Sequence, residues 1–241
     1  MPSTCCRSSS RRARWIGDGR EYALDFDGIR LEIALTDESG KIDLNTADEV
    51  VLKSLFARTG GLPEDEAAAL ADAVLDWRDE DDLVRANGAE RDDYRAAGLP
   101  YRPSNRAFAT EEELLQVLGM SYELFRRIEP ALTVHSGMGQ PNPAAAPLEA
   151  LMVYPGMTEE LARAIIAQRQ QAGPEMLGQA VAQLPDGTAV IAQVGGLTYS
   201  IRVRAVLPTG ASREFHATIR LGMQARAGRP FHVLRFREGD I

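Results

Sequence analysis

Tyr22-Ala23-Leu24-Asp25-Phe26-Asp27-Gly28-Ile29-Arg30-Leu31-Glu32-Ile33-Ala34-Leu35 is the stretch that decides the fold class. Tyr22, Leu24 and Phe26 alternate with smaller or polar residues before Asp27-Gly28; Ile29, Leu31, Ile33 and Leu35 alternate after it. Two period-two runs about an Asp-Gly pair predict a β-hairpin, because both turn residues must accept positive φ. The same pattern returns near the other end. Tyr199, Ile201, Val203, Ala205 and Leu207 alternate up to Pro208-Thr209-Gly210, Phe215, Ala217, Ile219 and Leu221 alternate beyond it, and His232, Leu234 and Phe236 share one side of a last run. This predicts a three-stranded antiparallel meander.

Between the two strand groups the apolar spacing is helical. Thr46 with Glu49 reads as a capping box before Val50, Val51, Leu52, Leu55 and Phe56. Pro63 suits the first turn of a helix that carries Ala67, Leu70, Ala71, Val74 and Trp77. Thr110 with Glu113 reads as another capping box. Two later segments match: Leu114 to Ser121 and Leu151 to Thr158 each run through a Gly-Met-hydroxyl turn into an amphipathic helix. Glycine there stops one helix and Ser or Thr caps the next. His135 to Pro147, rich in Gly, Pro, Ala and Asn, reads as a linker or long loop. The expectation is an α+β chain. Residues 1–20 are a basic, disordered lead-in, 21–45 and 184–241 an antiparallel β framework, and 46–183 an inserted α-helical domain.

Composition narrows the function classes. The 241 residues carry a net charge of −8, with 44% hydrophobic residues, enough for a sizeable core and unlike a general nucleic-acid binder. The charge is uneven. Residues 37–98 hold 17 acids and 7 bases, whereas residues 196–241 hold 8 arginines and 3 acids. The 2 cysteines, Cys5 and Cys6, are adjacent and make no disulfide framework. No apolar run approaches the roughly 18 residues of a membrane helix. No nucleophile elbow, Walker loop or dinucleotide fingerprint is present, and His135, His216 and His232 are scattered, so no enzymatic site emerges.

Asp76-Trp77-Arg78-Asp79-Glu80-Asp81-Asp82 is the most unusual local feature. Oxygen ligands at this density suit calcium, which takes six to eight of them in a flexible loop. Asp79, Asp81 and Glu90 match three positions of an EF-hand loop, but Leu83 and Val84 stand at a ligand position and at the glycine position, so that motif is rejected. A calcium site of another kind, drawing on Asp76, Asp79, Asp81, Asp82 and Glu90, stays open beside the reading of a solvated acidic helix end. Trp77 reads as a core anchor, and Asn45, Asn105 and Asn142 as caps or turn formers. The Gly-Met-hydroxyl turns are similar to a helix-hairpin-helix, whose turn offers main-chain N–H groups to a DNA phosphate. Ser121 and Thr158 replace its second glycine, and Glu123 and Glu159-Glu160 follow, where they would repel phosphate. A DNA-binding module of competence-protein type is therefore the alternative function, not the leading one.

Taken in order, Asp37-Glu38-Ser39-Gly40-Lys41-Ile42-Asp43-Leu44-Asn45-Thr46-Ala47, Asp76-Trp77-Arg78-Asp79 with Asp81, and Gly88-Ala89-Glu90 with Tyr94 form one series. It continues through Tyr101, Asn105, Glu113-Leu114, Val117 and Gly119-Met120 to Pro130-Ala131-Leu132-Thr133-Val134. The series resembles the minor pseudopilin K of type II secretion systems, over about residues 20–241. The resemblance implies a pseudopilin-like β framework interrupted by a helical insertion. It further implies a non-enzymatic subunit at the pseudopilus tip, partnered by the minor pseudopilins I and J, with secreted cargo as a further candidate partner and no nucleic acid. The implied location is the inner membrane with a periplasmic head. The family carries a leader and a long apolar helix that Met1 to Gly19 do not show, so a start placed downstream of the true one, or a fragment, is expected.

Overall fold

The computed structural model describes residues 15–192, 195–222 and 230–239. The lead-in up to residue 14 lies outside the described residues, but its expected end does not: β1 (Asp18–Phe26) already begins at Asp18. It turns at Asp27 and Gly28, both at positive φ (50° and 78°), into β2 (Ile29–Asp37). The Asp-Gly pair thus does what its chemistry predicts.

A short 3-10 turn, Glu38–Gly40, leads to β3 (Ile42–Asp43) and the helical part of the chain. There follow α1 (Glu49–Ser54), which continues as a π-helical turn over Leu55–Thr59, then α2 (Glu64–Arg78) and α3 (Arg91–Ala96). Next come a 3-10 helix over Glu111–Gln116, α4 (Tyr122–Ile128) and β4 (Leu132–Thr133), which pairs in parallel with β3 and brings the chain back to its point of entry. Then come α5 (Leu148–Leu151), α6 (Glu159–Gln171) and a small antiparallel hairpin of β5 (Ala180–Gln183) and β6 (Ala189–Ile191). Finally β7 (Thr198–Val206), β8 (Ser212–Leu221) and β9 (Phe231–Glu238) form the expected meander.

The first hairpin and the meander are one sheet. Its order is β1-β2-β7-β8-β9 and every neighbouring pair is antiparallel. The register sets Ile33 opposite Tyr22 on one side and Val203 on the other. Two or three strands alone are marginal; joined across the insertion they make a sheet. The result is a mixed α+β fold with a five-stranded antiparallel sheet and a helical region. The main core belongs to the helical region: Leu44, Leu52, Leu55, Phe56, Val74, Leu114, Ile128, Leu151 and Ile165 are fully buried together.

Several local expectations change. Asp48, not Thr46, caps α1: its carboxylate accepts the Val51 N–H at 2.9 Å. Pro63 occupies the cap position of α2 rather than its first turn. Thr110 makes no side-chain cap bond; Glu113 reaches back to the Ala109 N–H at 3.2 Å, and the helix is 3-10. Of the two readings of residues 135–147 the long loop holds and the linker does not, because the Asn142 N–H donates to the Ser39 carbonyl at 2.7 Å and Ala145 and Ala146 are buried. A Cβ on Gly40 would lie 2.4 Å from the Ala145 carbonyl carbon, so only glycine permits that approach. Residues 184–191, expected in the β framework, join the helical body instead, where Leu184 and Val190 enter the main core. The two glycine turns hold as expected: Gly119 and Gly156 have φ of 90° and 74°, and Ser121 and Thr158 cap α4 and α6.

Candidate functional site

The end of α2 and the loop to α3 form a knot of carboxylates. Asp76 faces inward with no exposed surface, because its helical position sits among Leu75, Trp77 and the buried Asp72. Gly88 lets the loop close over it; a Cβ there would come within 1.9 Å of the Asp76 carboxylate. Arg85, on the loop, sets its Nε 3.2 Å from Asp76 and its Nη2 3.7 Å from Asp79. Glu90 is 6% exposed, and neither of its carboxylate oxygens has a hydrogen-bond partner. Burial, then the charges of Asp76, Asp79 and Asp82, push the Glu90 carboxyl up to about 7. Burial also raises Asp76 and Asp79, the latter helped by the Asp81 charge.

Asp81 and Asp82 lie at the exposed rim. Asp81 accepts the Leu83 N–H at 2.8 Å, and Asp82 accepts from Asn105 Nδ2 at 3.0 Å. The structure therefore brings Asp76, Asp79 and Glu90 together on the inner side and leaves Asp81 and Asp82 at the edge. Among the described residues no three acidic, His or Cys side chains already converge on one point. Asp76 Oδ1 has the Arg85 Nε 3.2 Å away, yet Asp79 Oδ1, Asn105 Oδ1 and both Glu90 oxygens are buried without hydrogen-bond partners. That many orphaned acceptors require a cation, a proton or ordered water.

Arg85 and Asn105 were not legible as parts of this knot. Asn105, at φ 49°, is more than the expected cap or turn former: it bridges Asp82 and the Asp81 carbonyl. Asn45 likewise exceeds a cap, since its side chain exchanges two hydrogen bonds with the Phe108 main chain, at 2.7 and 3.0 Å. Trp77 is the expected anchor, packed against Tyr94, Tyr101 and Phe108.

The second notable surface is the sheet face away from the helical body. Period-two alternation sets Tyr22, Leu24 and Phe26 beside Leu31, Ile33 and Leu35, then Ile201 and Val203, Phe215 and Ile219, and Val233 and Phe236. None of these joins the main core, and Leu24, Phe26, Val233 and Phe236 are exposed.

Residues 33–137 match the family model described as type II secretion system (T2SS), protein K. That stretch, less than half of the chain, is similar to this family. The match takes in the second half of β2, the carboxylate knot and both strands of the β3–β4 pair. The type II secretion system protein K of Pectobacterium carotovorum subsp. carotovorum is 35% identical over 125 residues, 49% of this chain and 38% of that relative. That of Dickeya chrysanthemi is 31% identical over 133 residues, 51% of this chain and 35% of the relative. The matched part thus spans little more than a third of either relative. The fold is shared with a chain of the crystal structure of the GspK-GspI-GspJ complex from enterotoxigenic Escherichia coli. That likeness has a TM-score of 0.59 at 18% identity and covers 92% of this chain and 84% of the other. Among the described residues no helix is long and apolar enough to cross a membrane.

Proposed function

We propose that the chain is the head of a non-enzymatic minor pseudopilin, acting at the tip of a type II secretion pseudopilus with partners I and J and assisting the export of folded proteins. One observation carries the reading beyond family kinship: a single sheet with an apolar face spread over all five strands, which stable domains cover with a second layer. An assembly subunit gains that layer from its neighbours; a solitary enzyme does not need it. The β framework is in this reading the pseudopilin part, and the location is the periplasmic side of the inner membrane. The DNA-binding alternative is disfavoured by Glu159 and Glu160 in the first turn of α6 and Glu123 in that of α4. The test is co-expression with the I and J pseudopilins of the same system, followed by co-purification. A complex that weakens with Phe236→Lys, in a chain that keeps its melting temperature, supports the proposal. A folded chain that captures neither partner overturns it.

We further infer that the carboxylate knot holds a structural calcium ion. Asp76, Asp79 and Glu90 would supply inner oxygens, and Asp81 and Asp82 the outer ones. The support is the set of orphaned buried oxygens and the absence of any Cys or His among the candidates, a donor set that suits a hard cation. When bound, the ion would tie the end of α2 to the start of α3.

A further inference from the structure

The two edges of the five-stranded sheet are built differently. At β9 a bulge between Thr218 and Ile219 interrupts the pairing with β8, and Arg235 and Arg237 tie the strand to the 3-10 helix through Glu111 and Glu112. Bulges and inward-pointing charges are devices that keep an edge from taking up another strand. At β1 the irregularity lies only at the start, between Asp18 and Glu21, where Arg20 donates to the Arg169 and Ala172 carbonyls. Residues 21–26 pair one for one with β2 and contain no bulge, proline or lysine. This edge is open.

The two-residue turn at Asp27-Gly28 fixes which main-chain groups of that stretch remain unpaired. It makes Phe26 and Ile29 a hydrogen-bonded pair, and an antiparallel ladder alternates from there. Tyr22, Leu24 and Phe26 therefore bond inward to β2, and the N–H and C=O groups of Glu21, Ala23 and Asp25 point outward. Among the described residues no main-chain hydrogen bond from outside the sheet reaches them.

The side chains flanking those groups define what can add. On one side stand Tyr22, Leu24 and Phe26, the last two exposed. On the other stand Glu21, Ala23 and Asp25. Glu21 is paired with Arg202 at 2.7 Å. Asp25 is not paired: Arg30, opposite it in the register, turns to Glu32 at 3.5 Å, and neither Asp25 nor Asp27 has an ion pair among the described residues. A second copy of the chain fits this edge poorly. Antiparallel self-pairing centred on Ala23 sets Glu21 against Asp25, centred on Leu24 sets Glu21 against Asp27, and centred on Asp25 sets that residue against itself. Like charges directly opposite each other destabilise a sheet.

We propose that residues 21–26 are a docking edge for a partner's extended segment in which apolar and basic residues alternate. Its main chain bonds to Glu21, Ala23 and Asp25, its apolar residues continue the row of Leu24 and Phe26, and a basic residue stands opposite Asp25. The proposal does not rest on the pseudopilus reading, because it concerns the edge rather than the apolar face and names no pseudopilin. The test titrates the full 241-residue chain against a dye-labelled hexapeptide of alternating valine and lysine, and against its valine-glutamate counterpart, by fluorescence anisotropy. The lysine peptide should bind about tenfold tighter, by a margin that narrows as salt rises. Methylating the main-chain nitrogens of its lysines blocks one edge of the peptide, and methylating those of its valines blocks the other. One methylation should abolish binding and the other spare it, since an added strand bonds along a single edge. Ala23→Pro removes an outward N–H where an edge tolerates proline, and should weaken binding about fivefold or more. Asp25→Lys should do the same. Asp65→Lys makes the same charge change on the exposed first turn of α2 and should leave binding unchanged. Melting curves establish that each variant is folded; should one β1 variant unfold, the other carries the comparison. Equal binding of the two peptides, equal effects of the two methylations, or indifference to a folded β1 variant overturns the proposal. A dimer of the chain that Ala23→Pro dissolves would give the edge to a second copy and overturn it too.

Discussion

The Ser200 hydroxyl donates to the Glu38 carboxylate at 2.7 Å, although 162 positions separate the two residues. Glu38 is buried where three parts of the chain meet: the turn after β2, the central strand β7, and β4, whose Thr133 hydroxyl bonds the other carboxylate oxygen. Lys41 Nζ closes the group at 2.8 Å from Glu38. One side chain thus ties the sheet to the helical body.

Glu38→Gln should loosen this junction in a pH-dependent way. Burial by itself would raise the Glu38 pKa, but the Lys41 charge and the hydroxyl donors outweigh it and hold the group below 4.5. A depressed acid contributes stability above its unfolded pKa and loses that contribution as pH falls through it. Urea titrations at pH 7 should show the variant less stable by about 1–3 kcal/mol. The gap between the two proteins should narrow below pH 4.5. A gap that is constant from neutral to acid pH would assign Glu38 no ionic role.

The cap of α1 can be checked by a pair of substitutions. Asp48→Ala removes the acceptor of the Val51 N–H and should cost about 1 kcal/mol. Thr46→Ala removes no cap and should be near neutral. The reverse order in thermal melts would restore Thr46 as the cap.

Arg169, 5% exposed on α6, fastens that helix to the sheet edge. It donates to the Pro143 carbonyl at 2.9 Å and to the Asp18 carbonyl at 3.4 Å, while Arg20 donates to the Arg169 and Ala172 carbonyls. Burial lowers the Arg169 pKa to about 10, so it remains charged at neutral pH. Arg169→Met should raise amide exchange in β1 selectively, leaving α1 and α2 protected, and should cost about 1–3 kcal/mol. Unchanged exchange in Asp18–Phe26 would show that the clamp does not hold that strand.

Strand periodicity was the most readable feature, because each strand shows one polar and one apolar face. Asp27-Gly28 and Gly210 mark turns that demand positive φ, and the structure uses them so. The joining of β2 to β7 could be expected only in outline, since register is set by pairing over a long separation. The helix-hairpin-helix-like turns were legible from Gly119 and Gly156, but the cap of α1 was not: Thr46 and Asp48 are both good caps, and the turn bonds from Thr46 and Ala47 to the Asp43 carbonyl decide where the helix starts. The acidic ligand candidates were legible as composition. Their arrangement was not, because it depends on Gly88 admitting the loop over Asp76, and on Arg85 and Asn105, whose partners lie 9 and 23–24 positions away.

The carboxylate knot yields the last prediction. Six acids fall within residues 72–82; Asp76 and Glu90 are buried near the partly exposed Asp79, and Arg85 is the ion-pair partner of both Asp76 and Asp79 among the described residues. Like charges so placed repel unless protonated or bridged by a cation. A divalent ion would turn that repulsion into a cross-link between α2 and α3. Binding to the folded state alone adds about 2.7 kcal/mol at a hundredfold excess over Kd. For a chain of this size that is several degrees in Tm. The purified protein should therefore melt several degrees higher in millimolar calcium than in chelator. Magnesium at the same ionic strength should do less, because an irregular loop does not supply octahedral geometry. Asp79→Ala and Glu90→Gln should each remove most of the calcium gain, whereas Asp92→Asn, on the exposed side of α3, should retain it. Equal melting temperatures with calcium and with chelator, at matched ionic strength, would leave the knot as an acidic surface held by Arg85 and water.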